Sequence, residues 1–585
     1  MPVVAALDRS TCHIATAPVP MGDPRYLRTP DRERIPGQRD VRRRSVRSER
    51  LVRHDRGMDR RRAATGELAT IPAVLADRAR RHGARIAVVA PEGQLTYAEL
   101  AVAARRVTRA LLARSVRPGD RVAIWAPNTA RWVTAALGVL GTGATLVPIS
   151  TRLRGREAAD ILARGRCRML LTVAGFLGTD YPGMLRESGC ALPELHTTVV
   201  LDDTAAELSW SRFLTLGVEA PVADADARIA SVDPESVSDI LFTSGTTGVP
   251  KGVPSTHRQT IDAFSRWADA VTLSGDDRYL LVNPFSHTFG YKAGIIACLL
   301  RGATMVPVDR FDPQRVFRAI ERERITVLTG PPTLFHDLLT HRRAAHDLSS
   351  LRLAGTGGSS VPTELVERIR RELGAEKIFT GYGLTESTGV ATICAPDAPA
   401  HLLAHTVGKA LPGMLIRVVD DSGRRVRAGE PGEIVISGPN VMHGYLDDPA
   451  ATTAAIDSGG WLHTGDIGTL DTDGYLRVAD RRADMFIVGG FNVHPAEIER
   501  ILLDHPEIAE AAVVGVPDAR LGEVGHAFVV PDGPVEIDPT EILAWARTRI
   551  AGYKAPRRIE VVAALPRNAA GKVLKRVLRS QGAQP

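Results

Sequence analysis

Cysteine is scarce and scattered: the 585 residues hold five, Cys12, Cys167, Cys190, Cys298 and Cys394, with no C-x-x-C pair. An odd number without paired spacing excludes a disulfide framework or a zinc finger and fits a reducing compartment. Long apolar runs are lacking too. The longest, such as Ala293–Leu300, fall far below a membrane span. The opening stretch Val3–Leu7 is too short for a secretory leader and has no basic segment before it. A cytoplasmic location is therefore expected. The body of the chain also lacks charge of one sign. The net +7 arises in residues 1–62, which hold 16 arginines and eight acids; of 74 basic and 67 acidic residues, that leaves 58 and 59. A neutral body gives no reason to expect nucleic acid or a membrane as partner.

What is present is ordinary globular composition, 44% apolar and 24% charged, in a chain long enough for several cores. Residues 1–65 are the exception. Arg39, Arg42, Arg43, Arg44, Arg47 and Arg50 stand among Asp, Glu, Ser and Pro without apolar periodicity, so a disordered basic tail is expected. Met58, just before the first globular pattern, is an alternative start.

From Leu68 short apolar strands alternate with helical patterns. Strands are expected at Arg121–Pro127, Ala144–Ile149, Met169–Val173 and Thr197–Leu201, and helices at Thr129–Val139, Glu157–Ala163, Gln259–Val271 and Ala293–Leu300. Val361, Leu365, Ile369 and Leu373 repeat every four residues and mark an amphipathic helix over 361–373. The fold class is α/β: a large N-terminal domain over 66–480 with parallel-rich sheets flanked by helices. A small α+β domain follows over 481–585.

One stretch organises the rest: Leu241-Phe242-Thr243-Ser244-Gly245-Thr246-Thr247-Gly248-Val249-Pro250-Lys251-Gly252. A strand runs into a loop of Ser, Thr and Gly closed by a lysine. Glycines let the backbone approach a ligand, successive N–H groups make a concave anion site, and Lys251 adds a full charge. The expected guest is a polyphosphate. A Walker A loop is excluded, because Gly252 rather than a hydroxyl follows Lys251. Further along come Asn283-Pro284-Phe285-Ser286-His287-Thr288-Phe289-Gly290-Tyr291-Lys292, then Gly355–Ser360 and Thr380-Gly381-Tyr382-Gly383-Leu384-Thr385-Glu386-Ser387. After these stand Trp461–Gly468 around Asp466, Asp480-Arg481, Gly489-Gly490-Phe491, and Gly571-Lys572 near the end.

In this order the segments resemble the adenylate-forming superfamily, in particular its AMP-forming acyl-CoA synthetase branch, over about residues 68–580. The resemblance implies an enzyme, an acid-thiol ligase, that joins a carboxylic acid to ATP as acyl-AMP, releases pyrophosphate and passes the acyl group to CoA. It implies phosphate contacts from Thr243, Ser244, Gly245, Thr246, Thr247, Gly248 and Lys251. Gly357, Gly358, Ser359 and Gly383 line the nucleotide pocket. Tyr382 stacks on adenine, Thr385 meets phosphate, Glu386 helps hold Mg²⁺, Asp466 takes the ribose hydroxyls and Arg481 contacts nucleotide. His287 gates the acid pocket, and Lys572 is the adenylation lysine. The family commonly has Asp or Lys at the hinge, where this chain has Ala483. By the same resemblance the C-terminal domain then turns, Lys572 leaves, and Gly489, Gly490 and Phe491 approach to complete a tunnel for the CoA thiol.

Asn283–Leu299, Gly489–Val493 and Pro566–Val573 resemble actinobacterial ligases of fatty-acid and steroid breakdown, including those acting on the bicyclic propanoate left from steroid rings C and D. Phe285, Phe289 and Tyr291 suit an apolar acid, and Lys292 is placed either toward a ketone of it or toward solvent. The alternatives are a ligase loading an acyl carrier protein, a nonribosomal adenylation domain and a non-catalytic adenylate binder. A homo-oligomer is compatible with all of these.

Overall fold

A computed structural model of the chain describes residues 68–203, 208–244, 249–341, 346–357, 361–481, 485–532, 537–566 and 573–582. The expected basic tail and Ala483 lie outside these residues.

Among the described residues the strands form four sheets. A nine-stranded sheet has a parallel centre: Leu353–Gly357 lies between Val327–Gly330 and Lys377–Tyr382. Its edges are antiparallel, formed by Gly93–Thr96 on one side and Thr392–Cys394 and Lys409–Ala410 on the other. A six-stranded sheet is parallel up to Val237–Ser244, which pairs antiparallel with Pro250–Thr256. The polyphosphate-type loop therefore joins two strands of a ribbon. Leu462–Leu470 lies in a four-stranded antiparallel sheet.

The strands of the two large sheets read as unbroken apolar runs because helices cover both faces. Thr145–Pro148, Met169–Thr172 and Val327–Gly330 are buried at every position. The covering helices start on side-chain caps, as at Thr129 before Ala130–Gly141 and Thr256 before His257–Ala270. The helix expected over 361–373 begins at Thr363 and changes after Arg368 to a π-helix, Ile369–Leu373. A strict four-residue repeat drifts by about 40° per turn around an α-helix. The wider π turn brings Ile369 and Leu373 back inward, and both are buried.

The smaller C-terminal domain is α+β. Its sheet runs Phe491–Val493, Phe486–Val488, Gly522–Pro531, Ile508–Asp518, with Arg558–Val561 beside Gly522–Pro531. Helices Pro495–Leu503 and Pro539–Arg547 close a separate core around Phe486, Ile498, Leu502 and Ile542. No helix among the described residues is long and apolar enough to cross a membrane.

Candidate active site

A cavity of about 530 Å³ opens where the three N-terminal sheets meet the C-terminal domain. The carboxyl ends of parallel strands supply much of its wall, the usual place for ligands in such sheets. Strands Leu353–Gly357 and Lys377–Tyr382 end there in register, Gly357 opposite Gly381.

Of the residues expected to bind or react, Thr243, Lys251, His287, Gly357, Tyr382, Gly383, Thr385, Glu386, Asp466, Gly489 and Gly490 all line this one cavity. They come from six separated stretches of chain. Gly245, Thr246, Thr247, Gly248, Gly358, Ser359 and Lys572 lie outside the described residues, as do the side chains of Ser244 and Arg481. The backbone of Arg481 pairs with that of Asp466.

The polar groups are held by one another. The Tyr382 hydroxyl donates to Oδ2 of Asp466 at 2.6 Å. Asp466 is fully buried, and its N–H donates to Thr464 Oγ1 at 3.1 Å. Glu386 sits on the short 3₁₀ turn Thr385–Ser387, fixed by the Met442 N–H donating to its carbonyl at 2.8 Å. Its Oε1 accepts from the Tyr445 hydroxyl at 2.9 Å, and Lys251 Nζ stands 4.9 Å from the centre of the Tyr445 ring. Burial, then the neighbouring Glu386 charge, push the Tyr445 phenol above its ordinary range, so it stays a donor. Tyr445 is a site residue that sequence reasoning missed. Its signal was a tyrosine after glycine in His443-Gly444-Tyr445, with nothing local to tie it to Glu386.

His287 caps a short helical turn through Nδ1, which accepts from the Phe289 N–H at 3.2 Å. The ring is exposed to the cavity. Phe289 lines the cavity beside it. Phe285 and Tyr291 do not. Both are buried against Trp132, with ring centres at 5.0 and 6.0 Å. The apolar wall comes instead from Phe264, Trp267, Phe379, Val390 and Ile393. Trp267 packs edge-on to Phe379 at 5.6 Å.

Lys292 reaches neither a substrate nor solvent. It is fully buried on the π-helix Tyr291–Ile296, with Nζ 2.9 Å from Asp239 Oδ1 and donating to Ser255 Oγ at 2.8 Å. Ser238 donates to Asp239 Oδ2 at 2.7 Å. One ammonium thus ties both strands of the Val237–Thr256 ribbon to the helix that follows His287. Burial lowers its pKa, and the Asp239 charge opposes that shift.

A second cavity of about 340 Å³ shares Asn283, Pro284, Pro331, Gly489 and Phe491 with the first. Arg152, Arg520 and Arg557 stand along it. Gly489 and Gly490 form the tip of the hairpin Phe486–Val493, with φ of 57° and 86°. Positive φ at both central residues is the twist-matched two-residue turn, and glycine takes it without strain.

Among the described residues, no group of three or more His, Cys, Asp or Glu is arranged to hold a metal. One carboxylate, Glu386, facing a site suited to phosphates is the donor set expected for Mg²⁺, which takes few protein ligands and shares its shell with substrate oxygens and water.

Residues 75–446 match the AMP-binding enzyme family, and residues 497–572 match the AMP-binding enzyme C-terminal domain. A propanoyl:CoA ligase of Mycobacterium tuberculosis, whose acyl group carries a 7a-methyl-1,5-dioxo-octahydroindenyl ring, is 48% identical over 517 residues, 88% of this chain and 99% of that protein. The ligase of the same name from Rhodococcus jostii is 46% identical over 524 residues, 88% of this chain and 99% of its own length. A double mutant of o-succinylbenzoate CoA synthetase from Bacillus subtilis, bound with a product analogue, superposes with a TM-score of 0.74 at 32% identity, covering 87% of this chain and 98% of that one. The chain belongs to the AMP-binding enzyme family, in which it is an AMP-forming acid-thiol ligase.

Proposed function

We propose that the protein activates a compact, apolar, ring-bearing propanoate of the steroid-derived bicyclic type with ATP and transfers it to CoA. The observation that carries this reading is the convergence of Lys251, Tyr382, Glu386, Asp466 and His287 with the Gly489–Phe491 tip in one cavity that also has an aromatic wall. The two ligases named above, which act on a bicyclic propanoyl group, support the substrate class.

A carboxylate is a poor electrophile, because its charge repels nucleophiles and oxide leaves badly. In the first step a carboxylate oxygen attacks the α-phosphorus of ATP. The bond to the β-phosphate oxygen breaks, and acyl-AMP and pyrophosphate form. This chemistry needs positioning and charge neutralisation rather than a covalent intermediate on the protein. Tyr382 offers its ring to adenine, and Asp466 accepts from the ribose hydroxyls. Lys251 and the backbone of the 245–248 loop hold the departing phosphates. Glu386 would hold Mg²⁺, which when bound would supply positive charge to the departing phosphates. Lys572 bridges the carboxylate and the α-phosphate; its loss is expected to cost about 3–4 kcal/mol in this step, the scale of one preorganised donor.

In the second step the CoA thiol attacks the acyl carbonyl carbon. AMP leaves with the bonding pair, and the thiol proton passes to solvent. The cavity bearing Arg152, Arg520 and Arg557 is the proposed approach for the thiol, since those cations suit the phosphates of CoA. The C-terminal domain, 481–585, turns about a pivot near Ala483 between the two steps.

The test is incubation with ATP, Mg²⁺ and a panel of acids, with and without CoA, following pyrophosphate release and thioester mass together. A thioester formed best from the bicyclic propanoate, and only with CoA, is the expected result. A preference for linear fatty acids overturns the substrate class, and adenylate without thioester overturns the acceptor.

A further inference from the structure

Lys554 lies at the contact between the two domains. It belongs to the C-terminal domain, in the turn after helix Pro539–Arg547, and it is 4% exposed. Its ammonium meets two carboxylates, Glu157 Oε1 at 2.8 Å and Glu497 Oε1 at 2.6 Å. Glu497 is in the C-terminal domain and is 3% exposed; Glu157 is in the N-terminal domain and is 8% exposed. Each glutamate stands in the first turn of a helix, Gly155–Arg164 or Pro495–Leu503. The other oxygen of Glu157 accepts from the Arg154 N–H at 2.8 Å and so caps its own helix. The ammonium therefore joins the starts of two helices, one from each domain. An isolated charge buried this deeply is expensive, whereas a paired one is tolerated only in the geometry that pairs it.

Around this centre the same domain arrangement is fixed at further points. The Arg152 guanidinium of the N-terminal domain lies 4.4 Å from the centre of the Phe491 ring. Phe491 packs on Tyr553 at 4.9 Å, next to Lys554. Arg156 pairs with Asp504 at 3.2 Å on the exposed rim. These contacts hold the Gly489-Gly490 tip in the cavity. A Cβ on Gly490 would stand 2.5 Å from the Cβ of Pro331, so the tip is pressed against the N-terminal domain.

We infer that the Glu157–Lys554–Glu497 cluster is a latch that seats the Gly489–Phe491 tip in the active-site cavity, making Glu157 and Lys554 positioning residues for the thioester-forming step. The inference rests on the reading of two half-reactions given above and adds what holds the domains for the second. When the domain turns, Lys554 and Glu497 travel together and Glu157 stays behind. The latch is made in one arrangement and absent in the other. Exposed ion pairs contribute little, so the buried cluster, rather than the Arg156–Asp504 rim pair, carries the preference.

The test uses full-length wild type, Glu157→Gln, Lys554→Met and Lys554→Arg. Glu157→Gln keeps an oxygen for the helix cap and removes the charge. Two half-reactions are measured apart: adenylate formation by pyrophosphate exchange, and thioester formation from preformed acyl-AMP on adding CoA in a single turnover. Glu157→Gln and Lys554→Met are expected to slow the second by about tenfold or more while leaving the first within about twofold, and Lys554→Arg to recover part of the loss. Equal loss in both half-reactions, or no loss in either, overturns the latch. Hydrogen exchange on the protein without ligands reads it independently of the reaction. The amides of Phe486–Val493 should exchange faster in Glu157→Gln than in wild type, and unchanged exchange overturns the latch. Wild type that forms neither adenylate nor thioester overturns the reading of the reaction, and the exchange comparison then decides the latch alone.

Discussion

The Tyr382 hydroxyl donates a 2.6 Å hydrogen bond to Oδ2 of Asp466, joining the end of a parallel strand in one sheet to an antiparallel strand in another. The phenol orients the buried carboxylate before a nucleotide arrives. Asp466→Asn keeps the shape but loses the charge proposed to receive two ribose hydroxyls. Charge-assisted bonds carry about 1.5–3 kcal/mol, so the KM for ATP should rise by about tenfold to a hundredfold. Tyr382→Phe keeps the aromatic face and should change it by less than about threefold, whereas Tyr382→Ala should cost about 1–3 kcal/mol of stacking. Steady-state titration of ATP at saturating acid and CoA checks the order. Equal effects from Tyr382→Phe and Asp466→Asn would show that the phenol, not the carboxylate, is the group that matters.

Tyr445 stands between a cation and a carboxylate, with Lys251 over its ring and Glu386 on its hydroxyl. Tyr445→Phe leaves the ring for Lys251 and frees Glu386 from the donor that aims it. The expected result is a several-fold higher Mg²⁺ requirement and a kcat about tenfold lower, the size of one lost charged hydrogen bond. Tyr445→Ala should lose more, by uncovering Lys251. Titration of Mg²⁺ at fixed ATP separates the two. A magnesium requirement equal to wild type in Tyr445→Phe would remove Glu386 from the proposed metal role.

How much of this was legible depended on distance along the chain. Thr243 and Lys251 at the edges of the phosphate-type loop and the Tyr382–Glu386 run stood out as polar breaks after apolar strands, and Asp466 as an acid within the polar run His463-Thr464-Gly465-Asp466 of its own strand. The strands then brought them together. The Gly489-Gly490 pair was readable as a segment that meets the site, and its two positive φ values show why both positions are glycine. The partners of these groups were not readable. Tyr445 is 59 residues from Glu386, and Lys554 is 397 residues from Glu157. No local pattern encodes such a pair. Phe285 and Tyr291 looked like pocket aromatics because they flank His287. The helical turn and π-helix after His287 send Tyr291 and Lys292 inward, and Phe264, Trp267 and Phe379 from other elements take the wall.

Lys292 tests that correction directly. A lysine reaching a ketone of the substrate would set substrate choice; a lysine buried on Asp239 sets stability. Lys292→Met leaves the Asp239 carboxylate buried without its cation and should cost about 3–5 kcal/mol. Replacing both residues, Lys292→Met with Asp239→Leu, should recover much of that. Denaturant midpoints read the stability, and the ratio of kcat/KM between a bicyclic and a linear acid reads the selectivity. Selectivity is expected to stay the same in any variant that folds. A reversal of acid preference would place Lys292 back among the groups that recognise the substrate.

His257 gives the fold a measurable pH dependence. It opens helix His257–Ala270, is 1% exposed, and its Nδ1 accepts from the Ile71 N–H at 3.3 Å. The acceptor role requires the neutral ring with its proton on Nε2. Burial drives its pKa down from 6.5 to about 4, against a smaller opposing pull from Asp233. The folded value lies below the unfolded one, so the unfolded chain binds the proton more readily. The stability His257 supports is complete above the unfolded pKa near 6.5, declines as the pH falls, and levels off once the folded pKa near 4 is passed. Across that window the loss from this one group is roughly 3 kcal/mol, at about 1.4 kcal/mol per unit. His257→Asn places an uncharged side-chain oxygen near the Nδ1 position and does not titrate there. Its stability at pH 7 should be somewhat lower than wild type, and the fall between pH 7 and pH 5 should be shallower by about 2 kcal/mol. Urea midpoints at half-unit steps over that range make the comparison. Parallel curves for the two proteins would assign the acid sensitivity to other groups and show that His257 titrates alike in the folded and unfolded chain.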